Sequence, residues 1–214
     1  TIVYLWKAGP GLVIERPSSA LLSWQMEYMD LIGANNESLA ELNGEGVVVC
    51  VVDSGVDLGH PDLRGVELRG WRDSINGIEE PYDDEGHGTA MTGIIVSDGG
   101  LDGVAKGVDL LVAKAIDDEG LGTDGTVSDS VDWCVQQGAD IISLSLGGSQ
   151  SFGSDFFTTD ELEQSVNDAL DSGVFVVSSA GNDGEDDDGD VGSPGSVEDV
   201  ICVGGITRSG SIWS

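Results

Sequence analysis

The chain has 214 residues, of which 40 are acidic and 8 are basic, so its formal net charge at pH 7 is −32. Such a charge repels nucleic acid and anionic membranes, and we expect neither as a partner. Disorder is one explanation for the charge, but regular apolar segments separated by glycine favour a folded chain. Because salt screens a strongly acidic surface, we predict a halophilic protein. The length and the 39% apolar content suit one α/β domain.

The spacing of the cysteines argues against a cysteine metal site, and the length of the apolar runs argues against a membrane-spanning segment. Cys50, Cys134 and Cys202 lie in apolar or helical patterns without metal-binding spacing, so we expect three buried single thiols. No apolar stretch reaches the roughly 20 residues that cross a membrane. Because the chain does not begin with Met, the absence of a visible signal peptide carries little information.

In chain order, helical patterns alternate with short apolar runs. Helices are predicted at residues 24–32, 87–96, 126–137 and 158–172. Strands are predicted at residues 47–52, 108–116, 140–146, 174–180 and 200–206, with a further strand within 67–76. This alternation predicts βαβ units with right-handed crossovers, and therefore an α/β fold with a mainly parallel sheet.

The most informative stretch is residues 46–63, Gly-Val-Val-Val-Cys-Val-Val-Asp-Ser-Gly-Val-Asp-Leu-Gly-His-Pro-Asp-Leu. Its continuous apolar run predicts a strand that is buried on both faces, as in the middle of a parallel sheet. The run ends at Asp53, which should lie at the carboxyl edge of the sheet, where ligands bind in open α/β folds. Asp also commonly caps turns after strands, so the stretch alone leaves a functional and a structural role open.

The second stretch places His87 between two glycines, in Gly-His-Gly-Thr. The glycines let the backbone approach another segment closely, and the small residues that follow allow a helix to pack tightly under the sheet. A histidine in a surface turn is the structural alternative. The other histidine, His60, lies in a Leu-Gly-His-Pro turn and is interpreted as turn structure.

Two further strands end in glycine-rich segments at the same predicted edge. The strand before Ala-Gly-Asn presents Asn182, whose side chain is either an amide donor or a left-handed turn residue. The strand over residues 140–146 ends in Gly147 and Gly148, where exposed backbone can pair with an extended peptide.

These motifs together resemble the subtilisin-like serine proteases, or subtilases, of peptidase family S8. Asp53 in Val-Val-Asp-Ser-Gly is similar to the catalytic Asp motif, and His87 in Gly-His-Gly-Thr to the catalytic His motif. Residues 145–147 resemble the segment that lines the substrate cleft, and Asn182 lies in a segment like the oxyanion hole. The four occur in the family's order, and the resemblance covers about residues 33–214. It implies a three-layer α/β/α fold with a mainly parallel, subtilisin-like sheet.

The resemblance implies a serine endopeptidase that is secreted, monomeric and active on proteins or peptides. Asp53 and His87 would be catalytic, and Asn182 would donate to the oxyanion. The implied substrate-binding residues are Gly120, Leu121, Gly122, Ser145, Leu146, Gly147, Ser179, Ala180 and Gly181. Residues 24–214 would form part of a peptidase S8 catalytic domain, and residues 1–23 would be a propeptide tail or the mature N-terminus.

The chain departs from the family pattern at the nucleophile. The family's serine lies in a Gly-Thr-Ser-Met-Ala type of stretch, which these 214 residues do not contain. Ser209, Ser211 and Ser214 lack that setting. We therefore expect the chain to end before the nucleophile. The alternatives are a catalytically inactive, peptide-binding module on the same fold and, more remotely, a phosphoryl-transfer domain with Asp53 as nucleophile, for which no phosphate-cradling glycine loop is present.

No cofactor is expected for the chemistry, although structural calcium is common in the family. Asp62 in His-Pro-Asp-Leu matches a family calcium ligand, but the loop that should supply the other ligands, residues 97–103, is shortened. The acidic run at residues 185–190 could bind calcium through carboxylates, yet it lacks EF-hand spacing and is better interpreted as a solvated loop. No metal ligand is therefore assigned.

Overall fold

A computed structural model describes residues 19–39, 41–147, 160–182 and 191–212 of the chain. In these ranges six strands form one sheet in the order β2-β3-β1-β4-β5-β6, and every pairing is parallel. The strands are β1 (Val48–Asp53), β2 (Leu68–Asp73), β3 (Asp109–Lys114), β4 (Ile141–Leu144), β5 (Phe175–Ser179) and β6 (Ile201–Val203). Each predicted strand is confirmed, with bounds that differ by a few residues.

The described α-helices are α1 (Ser19–Leu31), α2 (His87–Val96), α3 (Asp124–Gln136) and α4 (Asp160–Asp171). The predicted helices are therefore confirmed. The boundary predicted between residues 23 and 24 falls inside α1, and residues 1–18 lie outside the described ranges. The division of the chain at that point stays a prediction. Within the described ranges, no helix combines the length and the hydropathy of a membrane-spanning segment.

Strand β1 explains how one sheet supports two helical layers. Its side chains alternate between the two faces of the sheet, as strand geometry requires. Cys50 and Val52 join a core cluster with residues of α3 and α4, whereas Val51 joins a cluster with Val96 of α2. Both faces are thus covered, which is why the run is apolar at every position and why the architecture is three-layered, α/β/α.

The prediction of three buried single thiols is wrong. Cys50 of β1 and Cys134 of α3 form a disulfide, with a Cα–Cα distance of 5.9 Å across 84 residues of sequence. Both are fully buried. The thiol of Cys202 is free but exposed, because it lies on β6 at the end of the sheet, where all three strand residues are exposed. The packing of α3 against β1, which local pattern does not reveal, brings the first two cysteines together.

The register of the sheet brings the predicted site segments to one edge. Asp53 lies opposite Lys114 of β3, and Val52 lies opposite Leu144 of β4. Because β3 and β4 are the two neighbours of β1, the segments that follow them flank Asp53 on both sides. This carboxyl edge is where ligands bind in open parallel sheets.

Candidate active site

Asp53 and His87 are hydrogen-bonded to each other at the carboxyl edge of the sheet. Nδ1 of His87 lies 2.8 Å from Oδ1 and 3.0 Å from Oδ2 of Asp53. The backbone N–H of Ser54 donates to the same Oδ1 at 2.7 Å. A carboxylate only accepts, so Nδ1 carries the proton and Nε2 of a neutral ring is an acceptor. Asp53 is only 2% exposed, whereas the His87 side chain is 38% exposed, so the carboxylate is held out of water while the imidazole reaches the surface.

The surroundings of His87 favour its protonated form. The hydrogen bond to Asp53 raises the pKa of His87 most strongly, and the negative charges of Asp53, Glu85 and Asp83 act in the same direction. Burial opposes them, because a half-buried imidazolium loses hydration. The net result is a raised pKa, which is the electrostatic behaviour of a histidine that can accept a proton and be stabilised as a cation.

The glycines around His87 allow two backbones to touch. A Cβ atom at Gly88 would overlap the carbonyl oxygen of Gly55 and lie 2.8 Å from its nitrogen. Gly55 has φ of 119°, and a Cβ there would overlap the carbonyl oxygen of Tyr82. Gly86, before the helix, has φ of 107°. The close backbone approach predicted from the Gly-His-Gly motif is therefore present, and its partner is the turn after Asp53.

Sequence reasoning missed two residues that hold this arrangement, Ser54 and Asp83. The Ser54 hydroxyl donates to Oδ1 of Asp83 at 2.9 Å and accepts the backbone N–H of Gly88 at 2.8 Å. Asp83 also accepts the backbone N–H groups of Gly86 and Thr89, each at 2.8 Å. Burial alone would raise the pKa of Asp83. The hydrogen bonds that its carboxylate accepts, of which the one from the Thr89 hydroxyl has the largest effect, instead lower that pKa. In the sequence, Ser54 was visible only as a polar residue after Asp53, and Asp83 only as part of an acidic turn.

The loop after β3 contains the first group of implied substrate-binding residues. A turn built on Asp117 orders it: Oδ1 accepts the N–H of Leu121 at 2.9 Å, and Asp117 N–H donates to the Leu121 carbonyl at 2.8 Å. Gly120 has φ of 80°, and the Leu121 side chain is exposed. A Cβ at Gly122 would lie 2.8 Å from the Ala115 carbonyl oxygen. The glycines thus let this segment lie tightly on the edge of the sheet.

The second and third groups lie beside each other beyond β4 and β5. The hydroxyl of Ser179 donates to the carbonyl of Leu146 at 3.1 Å, joining the segment of Ser145, Leu146 and Gly147 to that of Ser179, Ala180 and Gly181. Ala180 N–H donates to the Val203 carbonyl of β6 at 2.9 Å. The first group lies on the other side of β1, so the three groups flank the Asp53 strand.

Asn182 lies two strands away from Asp53 and is exposed. It follows Gly181, which has φ of 94°. Among the described residues, no hydrogen bond joins the Asn182 side chain to Asp53 or His87. The structure therefore joins Asp53 and His87 by a hydrogen bond and places Asn182 at the same edge, two strands away from Asp53.

The residues around Asp62 do not fit a calcium ion. Oδ1 of Asp62 accepts the backbone N–H of Gly100 at 2.5 Å. Nearby, the Lys106 ammonium binds the carboxylates of Asp98 at 2.8 Å and Asp102 at 2.5 Å. Calcium needs six to eight oxygens directed at one point, and here three of the carboxylate oxygens already accept from an N–H group or an ammonium. The described ranges contain no group of three or more His, Cys, Asp or Glu arranged to hold a metal, and residues 185–190 lie outside those ranges.

His60 has the structural role predicted for it. It precedes a short 3-10 helix, Pro61–Leu63, and its Nδ1 accepts the backbone N–H of Asp62 at 3.0 Å. Burial lowers the pKa of His60, although Asp62 and Asp57 oppose this. The two histidines therefore differ in environment: His60 accepts a backbone N–H in a turn, whereas His87 is hydrogen-bonded to the Asp53 carboxylate at the sheet edge.

Comparison with known proteins identifies relatives along most of the chain. The model of the peptidase S8 subtilase family matches residues 44–214. Serine protease AprX of Bacillus subtilis (strain 168) is 38% identical over 177 residues, covering 77% of this chain and 39% of that protein. The intracellular serine protease of Paenibacillus polymyxa is 36% identical over 174 residues, covering 78% of this chain and 51% of that protein.

A solved structure has a similar fold. The crystal structure of a cold-adapted subtilisin-like serine proteinase superposes with a TM-score of 0.69 and 30% identity, covering 81% of this chain and 59% of that one. The predicted subtilisin-like architecture is thereby confirmed. The chain spans about two fifths to one half of the length of the curated relatives named above. By its sequence match and its fold, the chain belongs to the subtilase family.

Proposed function

We propose that this protein is a serine-type endopeptidase in which Asp53 and His87 are two members of an Asp-His-Ser triad. The observation that carries the proposal is the hydrogen bond between Nδ1 of His87 and the buried Asp53 carboxylate at the carboxyl edge of the sheet. Membership of the subtilase family supports it. Protein or peptide chains are the proposed substrates.

In the proposed reaction, Asp53 holds the tautomer of His87 that leaves Nε2 free to act as a base. Nε2 removes the proton of a serine hydroxyl as that oxygen attacks the peptide carbonyl, and His87 then donates the proton to the leaving amine. The negative charge of Asp53 stabilises the imidazolium in between. The chemistry that these residues supply requires no metal or other cofactor.

We infer that the serine lies in a segment that follows residue 214. The Gly-Thr-Ser-Met-Ala type of stretch does not occur in the 214 residues. In the described part of the chain, no serine hydroxyl is hydrogen-bonded to Nε2 of His87. An inactive peptide-binding module is the outcome that the experiment below must exclude.

The proposed cleft lies between the segments on either side of β1. Gly120, Leu121 and Gly122 would form one wall; Ser145, Leu146, Gly147, Ser179, Ala180 and Gly181 would form the other. Exposed backbone on both sides suits an extended peptide. Asn182 is proposed to donate a hydrogen bond to the oxyanion, a contact whose loss typically costs about 10²–10³ in rate.

We further propose that the enzyme is monomeric, adapted to high salt and located outside the cell. The net charge of −32 supports the salt adaptation. The disulfide between Cys50 and Cys134 supports an oxidising location, because disulfides persist in such compartments. The relative from Paenibacillus polymyxa is itself named an intracellular enzyme. Sedimentation in multimolar salt tests the monomer.

The experiment is active-site labelling of the full-length protein with a fluorophosphonate in multimolar salt, followed by peptide mapping. We expect one labelled serine and hydrolysis of a peptide substrate, both lost in His87→Ala. The His60→Gln variant is the matched control, since His60 has a turn role, and it should keep both. A full-length protein that binds peptides but is neither labelled nor active would overturn the proposal in favour of the binding module.

A further inference from the structure

Lys114, the last residue of β3, is a fully buried lysine whose three N–H donors are all used. Its ammonium donates to the Ser54 carbonyl at 2.7 Å, to Oδ1 of Asp84 at 2.6 Å and to the Ile116 carbonyl at 2.8 Å. The side chain has no exposed surface. A buried ammonium is tolerated only when it is fully paired, so the three acceptors are fixed relative to one another.

The three acceptors belong to the three segments that build the candidate site. Ser54 directly follows Asp53, and its backbone N–H also binds the Asp53 carboxylate. Asp84 lies next to Asp83 in the turn that leads into His87. Ile116 begins the loop that continues to Gly120, Leu121 and Gly122. Lys114 is thus hydrogen-bonded to the residue after Asp53, to the turn before His87 and to the loop that forms one wall of the proposed cleft.

Tyr82 adds a fourth contact from the histidine turn. The Lys114 ammonium lies 5.0 Å from the centre of the Tyr82 ring, within the range of a cation–π interaction. The Tyr82 carbonyl accepts the backbone N–H of Val56, three residues beyond Asp53. The ring and the carboxylate of Asp84 therefore hold the ammonium from the same turn, while Ser54 and Ile116 hold it from the strand ends.

We propose that Lys114 is a positioning residue that sets the register of the Asp53 strand end, the His87 turn and the loop of Gly120–Gly122 through its ammonium. The inference rests on the proposed function, because this register matters for catalysis only if Asp53 and His87 act as a pair. Lys114 itself does not touch the reacting atoms. Its effect reaches His87 through Ser54 and Asp84.

The variant that tests the proposal is Lys114→Met, which keeps the buried alkyl stem and removes the three donors. Lys106→Met is the matched control, because the Lys106 ammonium is also paired, with the carboxylates of Asp98 and Asp102, but lies at the surface, away from the pair. The first readout is the titration of the His87 imidazole by NMR, with His60→Gln used to separate the two histidine signals. This titration requires neither the nucleophilic serine nor any substrate.

We expect Lys114→Met to move the His87 titration midpoint toward that of an ordinary histidine and to abolish a downfield Nδ1 proton signal. Lys106→Met should leave both unchanged. In the full-length enzyme, we expect kcat/KM to fall by about tenfold to a hundredfold in Lys114→Met, the range typical of misplaced catalytic groups, and to change less than twofold in Lys106→Met.

A folded Lys114→Met protein with the His87 titration of the parent would overturn the proposal. If that variant does not fold, the His87 titration is measured in Asp84→Asn instead. Asp84 lies partly at the surface, and this change weakens only one of the three contacts of Lys114. A shift in the same direction supports the proposal, and an unchanged titration overturns it. Fluorophosphonate labelling of the parent protein tests the endopeptidase proposal without reference to Lys114. A failure of that proposal can therefore be distinguished from a failure of the role proposed for Lys114.

Discussion

Gly88 and Gly55 are in direct backbone contact: the α-carbon of Gly88 faces the Gly55 peptide so closely that a Cβ atom there would overlap its carbonyl oxygen. One glycine follows Asp53 by two residues and the other follows His87 by one. The contact therefore fixes how the end of β1 meets the start of α2. It also explains why the glycine after the histidine belongs to the motif.

Gly88→Ala is expected to destabilise the protein by about 1–3 kcal/mol, the cost typical of overpacking a close contact. It should also shift the His87 titration, because the helix start must move away from Asp53. The control is Gly93→Ala in the same helix, where a Cβ would meet no atom within 4 Å. That change should stabilise by up to about 1 kcal/mol through helix propensity. Equal free energies of unfolding in urea for the two variants would contradict the contact.

The raised pKa of His87 predicts a specific pH dependence. Since the folded pKa lies above the unfolded value, His87 contributes stability that is fully present below about pH 6.5 and is lost as the pH rises through the folded pKa. Activity should follow the opposite course, because catalysis needs neutral His87, and should rise with pH through the same midpoint. The free energy of unfolding and kcat/KM measured from pH 5.5 to 9 check both.

Two variants isolate the histidine in that experiment. His87→Gln should remove this pH-dependent part of the stability while leaving the lower-pH contribution of Asp83, whose pKa is lowered. Asp53→Asn removes the largest cause of the raised pKa, so burial should bring the pKa of His87 below that of the parent. A His87 midpoint that does not respond to Asp53→Asn would show that the pair is not coupled in solution.

The Cys50–Cys134 disulfide is expected to be a major source of stability. It closes a loop of 84 residues, for which the loop-entropy model gives roughly 4–5 kcal/mol. The double variant Cys50→Ala and Cys134→Ala should lose about that amount in urea unfolding at high salt. Cys202→Ala is the control and should be neutral, since that thiol is exposed. A double variant as stable as the parent would mean that the disulfide does not form in the protein.

The charge of −32 predicts a strong dependence of stability on salt. Repulsion between carboxylates should be screened mostly between about 0.1 M and 1 M salt, where the Debye length falls from about 10 Å to about 3 Å. Melting temperatures across a sodium chloride series check this, and loss of cooperative melting is expected at the low end. A melting temperature that is the same at both ends would exclude halophilic adaptation.

Asp62 is expected to stabilise the loop over residues 97–103 by hydrogen bonding and not by binding calcium. Asp62→Ala should cost about 1–3 kcal/mol, because it leaves the Gly100 N–H without its acceptor. Asp62→Asn keeps an acceptor oxygen and should cost less than half of that. The response of the melting temperature to calcium should be the same in both variants and the parent. A calcium response that disappears in Asp62→Asn would restore the metal site.

Local pattern predicted much of the fold and part of the site. A local pattern predicts the secondary structure of its own segment. The apolar run therefore predicted that Asp53 ends a strand, and the Gly-His-Gly motif predicted that His87 begins a helix. The helical and strand periods likewise follow from side-chain direction within one element. The position of Asn182 at the sheet edge was predictable for the same reason, whereas its separation of two strands from Asp53 follows from the strand order.

The sequence was enough to predict the succession of strands and helices, the parallel sheet and the edge at which Asp53 and His87 meet. The disulfide between Cys50 and Cys134, the link from Ser54 to Asp83 and the contacts of Lys114 with Ser54 and Asp84 emerged only from the way the folded elements pack. In each of these contacts the two partners are 29 to 84 residues apart along the chain. Such pairs meet only when packed elements cross, and no local period records which side chains a crossing will join.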